Sequence, residues 1–434
     1  MKKVALHNLG CKVNAYETEA MQEMLENAGY EIVPFAEGAD IYIINTCTVT
    51  NIADRKSRQM LHRARKMNPD AIIVAAGCYV QAQENEARRQ DPCIDIVIGN
   101  NRKQELPEIL EKYMAAREEK KAVCREVVDI SHTKDYEYLH LSRTGDHTRA
   151  YIKVQDGCNQ FCSYCIIPYA RGRVRSRRKE DVVREASELA AGGCREVVLT
   201  GIHLSSYGVD LEEDNLLSLI LAVHEIDGIC RIRLGSLEPG IITEEFVRRT
   251  AALPKMCPHF HLSLQSGCDA TLRRMNRRYT SEEYYEKCQL LRQYYDNPAL
   301  TTDVIVGFPG ETEEEFEQSK AFIDRVNFYE THIFKYSRRE GTRAAAMKNQ
   351  IPESVKSARS SSLIELGAEK QKNYEQSLFG REVEILVEEQ ITVDGRKMQT
   401  GHTKEYVKVA FEAKEDLRNQ IIKTKVDHHL QIIH

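Results

Sequence analysis

Long apolar runs are missing from this chain of 434 residues. Segments such as AIIVAAGC (71–78) stop far short of the roughly 20 apolar residues that a membrane-spanning helix needs. The N-terminal MKKVALHNLGC meets His7 and Asn8 too early for a secretory h-region. Both absences predict a water-soluble, cytoplasmic protein with no membrane partner. A net basic charge is missing as well, since the formal charge is −5, and this counts against gripping nucleic acid over the whole surface. Charge is nevertheless local. RKSRQMLHRARK (55–66) holds six Lys or Arg and no acid, and RGRVRSRRK (171–179) holds another six. Such patches neutralise phosphates whatever the remaining surface carries, although a solvated helix face has the same composition.

Hydrophobic residues at 42% and charged residues at 29% describe a folded chain, and its length suggests two or three domains at about 100–200 residues each. Its 13 cysteines do not read as a disulfide framework in a reducing compartment. Those that cluster are candidates for metal binding or catalysis. The scattered ones, Cys93, Cys124, Cys194, Cys230, Cys257, Cys268 and Cys288, read as packing residues.

Over residues 1–112, strand and helix patterns alternate: KVALHNLG then YETEAMQEMLENAG, DIYIINT then RKSRQMLHRARKM, AIIVAAG then QENEARRQ, with IDIVIGN as a fourth strand. This alternation predicts a parallel α/β sheet. Cys11, Cys47 and Cys78 each follow directly on one of the first three strands. Ligands of such sheets bind at the carboxyl ends of strands, so these thiols, 36 and 31 residues apart, are placed to meet. Residues 113–143 are charged, with a weak strand near AVCREVV, and read as a linker. Residues 144–375 carry six further strand patterns, YIKVQDG, EVVLTGIHL, RIRLGSLE, HFHLSLQSG, LTTDVIVGF and THIFKYS, separated by helical stretches. Six βα units predict a partial (β/α)6 barrel with its chemistry at the C-terminal ends of the strands. Residues 376–434 alternate over short segments, the pattern of a small antiparallel β-barrel.

The segment DGCNQFCSYCIIPYARGR places Cys158, Cys162 and Cys165 in the spacing CxxxCxxC, directly after the first barrel strand. Three thiolates this close can hold a [4Fe–4S] cluster and leave its fourth iron open. An open iron can chelate the amino and carboxylate groups of S-adenosylmethionine, whose S–C bond one electron then cleaves to a deoxyadenosyl radical. A zinc site is the alternative, but no histidine stands nearby at ligand spacing.

With its three dispersed N-terminal cysteines, its CxxxCxxC barrel and its C-terminal β-barrel, the chain resembles the radical-SAM methylthiotransferase family over essentially its whole length. The resemblance implies a radical-SAM core at 144–375 and a TRAM domain at 376–434. It also implies that Cys11, Cys47 and Cys78 hold a second [4Fe–4S] cluster. GCKVN, with Lys12, CTVTNIADRKSRQ and PYARGRVRSR are similar to the members that modify N6-threonylcarbamoyladenosine 3′ of the tRNA anticodon. Relatives acting on isopentenyladenosine tend to GCQMN, and those acting on a ribosomal-protein aspartate to NTCGFI. His402 departs from the family, which more usually has a tyrosine there.

The implied reaction replaces the C2–H of the adenine with C–SCH₃ and uses S-adenosylmethionine twice. One molecule methylates a sulfur on the N-terminal cluster; the other, cleaved at the barrel cluster, activates the base. The implied partners are tRNA, a reductant such as flavodoxin or ferredoxin, and a sulfur donor. Tyr164 is a candidate to pack on the adenine of S-adenosylmethionine and Gly201 to approach its amino group. Ser263, Gln265 and Gly307 are candidates for its ribose and adenine, and Glu238 for a ribose hydroxyl. Arg171, Arg173, Arg175 and Arg177, with Arg55, Lys56 and Arg58, are candidates for tRNA phosphates or for ordering the substrate. Two other classes fit parts of the pattern: a radical-SAM enzyme acting on a protein, and a non-catalytic iron–sulfur RNA-binding sensor.

Overall fold

A computed structural model describes residues 1–82, 91–118, 124–144, 148–393, 395–427 and 430–434. In the N-terminal part, strands β1 (Lys3–Asn8), β2 (Glu31–Ile32), β3 (Ile41–Thr46), β4 (Ile72–Gly77), β5 (Ile96–Ile98) and β6 (Cys124–Glu126) form one sheet in the order β2-β1-β3-β4-β5-β6. Every pairing in it is parallel. Such a sheet needs cover on both faces, which is why β3 and β4 are buried along their whole length. Ile41, Ile43, Ile72 and Val74 pack on Met21 and Leu25 of the helix Lys12–Asn27 and on Leu106 and Ile109. The alternate residues Tyr42, Ile44, Ile73 and Ala75 pack on Leu61 and Ala64 of the helix Asn51–Met67.

The segment read as a linker is partly sheet. The helix Leu106–Glu118 runs past residue 112, and β6 extends the sheet by pairing Ile96 with Cys124. The expected helix at 83–90 lies outside the described residues; the described helix there is Cys78–Ala82.

All six expected barrel strands are present: β7 (Arg149–Asp156), β9 (Glu196–Gly201), β10 (Arg231–Leu234), β11 (His259–His261), β12 (Ala299–Val306) and β13 (Glu330–Lys335). A short strand β8 (Arg175–Ser176) turns back antiparallel on β7. Parallel pairing joins β7, β9 and β10, and again β11, β12 and β13. Between the two groups, Leu237 donates to the His261 carbonyl (2.8 Å) and accepts from Ser263 (2.9 Å). The outer helices are set by local signals: Thr280 with Glu283, and Thr312 with Glu315, form capping boxes.

The last strands, β14 (Glu382–Val393), β15 (Arg396–Thr403), β16 (Lys408–Phe411), β17 (Ile421–Lys425) and β18 (Gln431–Ile432), form an antiparallel sheet ordered β17-β14-β15-β16-β18. Its core of Val383, Ile385, Val387, Val407 and Val409 continues into Ala299 and Tyr329 of the central domain. A bulge between Val387 and Glu389 marks where Glu388 reaches Arg149 (2.6 Å) and His402 (2.9 Å). His402 stacks on Tyr406 with 4.5 Å between ring centroids, so its imidazole steadies the two residues, Glu388 and Tyr406, that meet Arg149 of the central domain.

Candidate active site

The three N-terminal cysteines sit at one edge of the first sheet because each ends a strand and begins a loop or helix there. Gly10 has φ +108°, and a Cβ on it would come within 2.9 Å of the Cys47 Cβ, so the loop carrying Cys11 lies directly on Cys47. The Cys47 amide donates to Ser57 Oγ (3.2 Å), which donates back to the Cys47 carbonyl (3.0 Å). Asn14 ties two of the loops together by donating to the carbonyls of Leu9 (2.7 Å) and Thr46 (3.0 Å). Cys78 opens its helix and accepts from Arg171 Nε at 3.1 Å. Burial pushes the Cys47 thiol up to about 11, and the charges of the neighbouring Cys11 and Cys78 add to the shift.

Cys158, Cys162 and Cys165 lie in the loop after β7. Gly157 makes that loop possible: its φ is +70°, and a Cβ would fall 1.8 Å from the Arg173 carbonyl oxygen, where the returning chain crosses. The Cys158 amide donates to Gly172 (3.0 Å), and Arg277 Nη1 donates to Cys162 Sγ (3.3 Å). Burial pushes Cys158 up to about 11 and Cys165 up to about 12. These three cysteines line one cavity of about 710 Å³ together with Gly10, Cys11 and Lys12 of the N-terminal domain.

The donor chemistry fits clusters better than a single ion. Four-coordinate zinc with Zn–S near 2.3 Å needs sulfurs roughly 4 Å apart. The described groups whose ligand atoms all lie within 4.8 Å of one another are His62, Asp91 and Cys93, and His261, Asp303 and His332; neither cysteine trio is among them. The wider spacing suits thiolates bound to different irons.

Of the residues expected to contact S-adenosylmethionine, Tyr164, Gly201, Glu238, Ser263 and Gln265 line this cavity. Gln265 does so from the left-handed region, at φ +70°. Glu238 is held by Arg277 (2.8 Å) and His203 (3.1 Å). The space beside Gly201 is taken by Gln155, 2.7 Å from where a Cβ would stand. Gly307 is not among the lining residues: its missing Cβ makes room for the Lys356 side chain, and its amide donates to Glu311 (2.9 Å).

The arginine run needs a larger correction. Arg171, Arg175 and Arg177 are buried, so the expected tRNA phosphate contacts do not apply to them. Arg171 pairs with Glu17 (2.5 Å) and Asp156 (3.3 Å), Arg175 with Asp156 (3.7 Å), and Arg177 with Glu185 (2.7 Å). Lys153 bridges Glu17 (2.8 Å) and Asp156 (2.6 Å), and Lys103 adds a contact to Glu17 (3.1 Å). These cations hold Glu17 and Asp156 well below the usual carboxylate range against the opposing effect of burial. The cluster welds the helix Lys12–Asn27 to β7 and to the short helix Ile167–Arg171 after the CxxxCxxC motif. Arg173 is exposed, with its guanidinium over the Phe161 ring at 4.6 Å, and Arg55, Lys56 and Arg58 are exposed as well. Sequence reasoning missed Glu17, Asp156 and Arg277 as parts of the site, and no local motif marks them.

A parallel sheet that gathers one cysteine trio at its edge, and a partial barrel whose own trio shares a cavity with Cys11, define a cluster-bearing radical enzyme. The model for the radical SAM superfamily matches residues 152–323, and that for the uncharacterized protein family UPF0004 matches residues 3–99. The chain is 42% identical to the threonylcarbamoyladenosine tRNA methylthiotransferase MtaB of Bacillus subtilis, over 98% of this chain and 94% of that one. It is 38% identical to the tRNA-2-methylthio-N(6)-dimethylallyladenosine synthase of Alkaliphilus oremlandii, over 98% of this chain and 90% of that one. Its fold is like that of the radical S-adenosylmethionine methyltransferase TsrM from Kitasatospora setae, with TM-score 0.53 and 16% identity over 79% of this chain and 74% of that one. The chain belongs to the radical-SAM methylthiotransferase family. Among the described residues, no helix is long and apolar enough to cross a membrane.

Proposed function

We propose that this enzyme methylthiolates carbon 2 of N6-threonylcarbamoyladenosine 3′ of the tRNA anticodon, giving the 2-methylthio product. The observation that carries this reading is the shared cavity, where Cys11 of one trio faces Cys158, Cys162 and Cys165 of the other. Two [4Fe–4S] clusters and S-adenosylmethionine are its cofactors, with Cys11, Cys47 and Cys78 as ligands of one cluster and Cys158, Cys162 and Cys165 of the other. When bound, they supply a carbon radical and an activated methyl group, the chemistry that an unactivated aromatic C–H requires at neutral pH.

The protein's own residues place and enclose that chemistry. Arg171 and Arg277 each donate to one thiol sulfur, which lowers the cost of negative charge there. Tyr164 offers a flat wall, and Glu238, steadied by His203 and Arg277, offers an acceptor for a ribose hydroxyl. The exposed Arg173, Arg55, Lys56 and Arg58 neutralise tRNA phosphates. A cytoplasmic location, a flavodoxin- or ferredoxin-type reductant and a separate sulfur donor complete the reading. Nucleoside mass spectrometry of tRNA from a strain lacking the gene tests it. Loss of 2-methylthio-N6-threonylcarbamoyladenosine is expected; an unchanged level, or loss only of the methylthiolated dimethylallyl nucleoside, overturns it.

A further inference from the structure

Lys12 stands immediately after Cys11, yet its side chain turns into the shared cavity and away from the ionic weld behind the helix. It lines that cavity together with His261, Asp303 and His332, which come from three neighbouring barrel strands. The ligand atoms of those three residues lie within 4.8 Å of one another, and the His261 and His332 rings stack at 5.7 Å.

Among the described residues, no carboxylate lies within ion-pair distance of Lys12. The two acids whose fields reach it are already committed, Asp303 to His261 (3.3 Å) and Glu196 to Arg149 (2.6 Å) and Arg233 (2.8 Å). The two arginines whose fields reach it add positive charge to the same region. A half-buried ammonium that lines a cavity and feels the fields of two guanidinium groups is short of one anion.

We propose that Lys12 is the specificity residue that binds the carboxylate of the threonylcarbamoyl arm of the substrate base. The inference rests on the function proposed above. The arm carries one carboxylate, one hydroxyl and ureido N–H groups. Lys12 meets the first, and Asp303 with the two histidines forms a donor and acceptor wall suited to the others. A base bearing an uncharged hydrocarbon arm would leave Lys12 unpaired in a desolvated cavity, so one side chain both favours the right nucleoside and penalises the wrong one.

The test uses anaerobically reconstituted enzyme and three anticodon stem-loops, carrying threonylcarbamoyladenosine, the same nucleoside with its carboxylate converted to the primary amide, and unmodified adenosine. Binding is followed by fluorescence anisotropy, and iron is counted in every sample. For Lys12→Gln we expect at least tenfold weaker binding of the carboxylate stem-loop and a change under twofold for the other two, with full iron content. Lys12→Arg should restore most of the preference. The wild type should lose about the same factor on the amide that Lys12→Gln loses on the acid, and the two losses should not add. Equal weakening of all three RNAs, or an undiminished preference in Lys12→Gln, overturns the assignment of Lys12 alone. A wild type that does not distinguish the acid from unmodified adenosine overturns the proposed function together with it.

Discussion

Arg171 Nε lies 3.1 Å from Cys78 Sγ, so the short helix Ile167–Arg171 that follows one cysteine trio donates a hydrogen bond to a thiol of the other. The same guanidinium pairs with Glu17 and Asp156, which makes Arg171 both a weld between domains and a donor to a proposed cluster ligand. Arg171→Gln leaves two carboxylates facing fewer cations in a buried place, and breaking a buried ion pair costs about 3–5 kcal/mol. Denaturant unfolding of the apoprotein should show a loss of that order. In reconstituted enzyme the N-terminal cluster should become harder to reduce, because a hydrogen bond to sulfur favours the reduced state; spectroelectrochemistry reads this separately from stability.

The two trios should be independent in metal content. Wild type is expected to bind about eight irons per chain, and Cys47→Ala and Cys162→Ala about four each, as two four-iron clusters require. Iron and sulfide assays after anaerobic reconstitution check it, and an undiminished count in Cys47→Ala would remove that residue from the ligand set.

Acid should loosen the junction between domains. Glu17 and Asp156 are held below the usual carboxylate range in the folded protein, so their contribution is fully present above the unfolded value of roughly 4 and is lost as pH falls towards the folded values. Apoprotein stability should therefore fall steeply below about pH 4. In Glu17→Gln that fall should be shallower and start from a lower plateau. Urea titrations across the acid range measure both.

Charge removal at the exposed basic residues should act differently from removal at the buried ones. Arg55→Ala, Lys56→Ala and Arg173→Ala are each expected to weaken tRNA binding a few-fold, to leave iron content intact and to reduce the salt slope of log K by about one. Arg177→Ala, whose partner Glu185 is buried, should instead lower stability. Binding isotherms at several salt concentrations separate the two behaviours.

What could be read in advance follows from how local each signal is. β4 is a continuous apolar run and β3 an apolar run closed by Asn45 and Thr46, each followed directly by a cysteine, and CxxxCxxC occupies a single loop, so strand ends and candidate ligands were legible without any contact information. β6 was not legible as part of the sheet, because a three-residue strand reading Cys-Arg-Glu at an edge has no apolar pattern to betray it. The run 171–179 misled for a related reason. A dense cationic stretch reads as surface unless its acids are known, and Glu17 and Asp156 precede Arg171 by 154 and 15 residues. Lys12 was noticed as part of a motif, but only the closing of one domain over the other puts its ammonium inside the cavity.

Among the described residues, the apolar core that runs from the last five strands into Ala299 and Tyr329 ties the C-terminal part to the central one, and the ionic weld at Glu17 ties the N-terminal part to it. These two contacts hold Cys11 against the cavity that Cys158 lines. Any adenine that reaches Cys11 and Cys158 together must be swung out of its stack by the anticodon loop, so a loop's willingness to release that base becomes a second criterion of selection beside the chemistry of its arm.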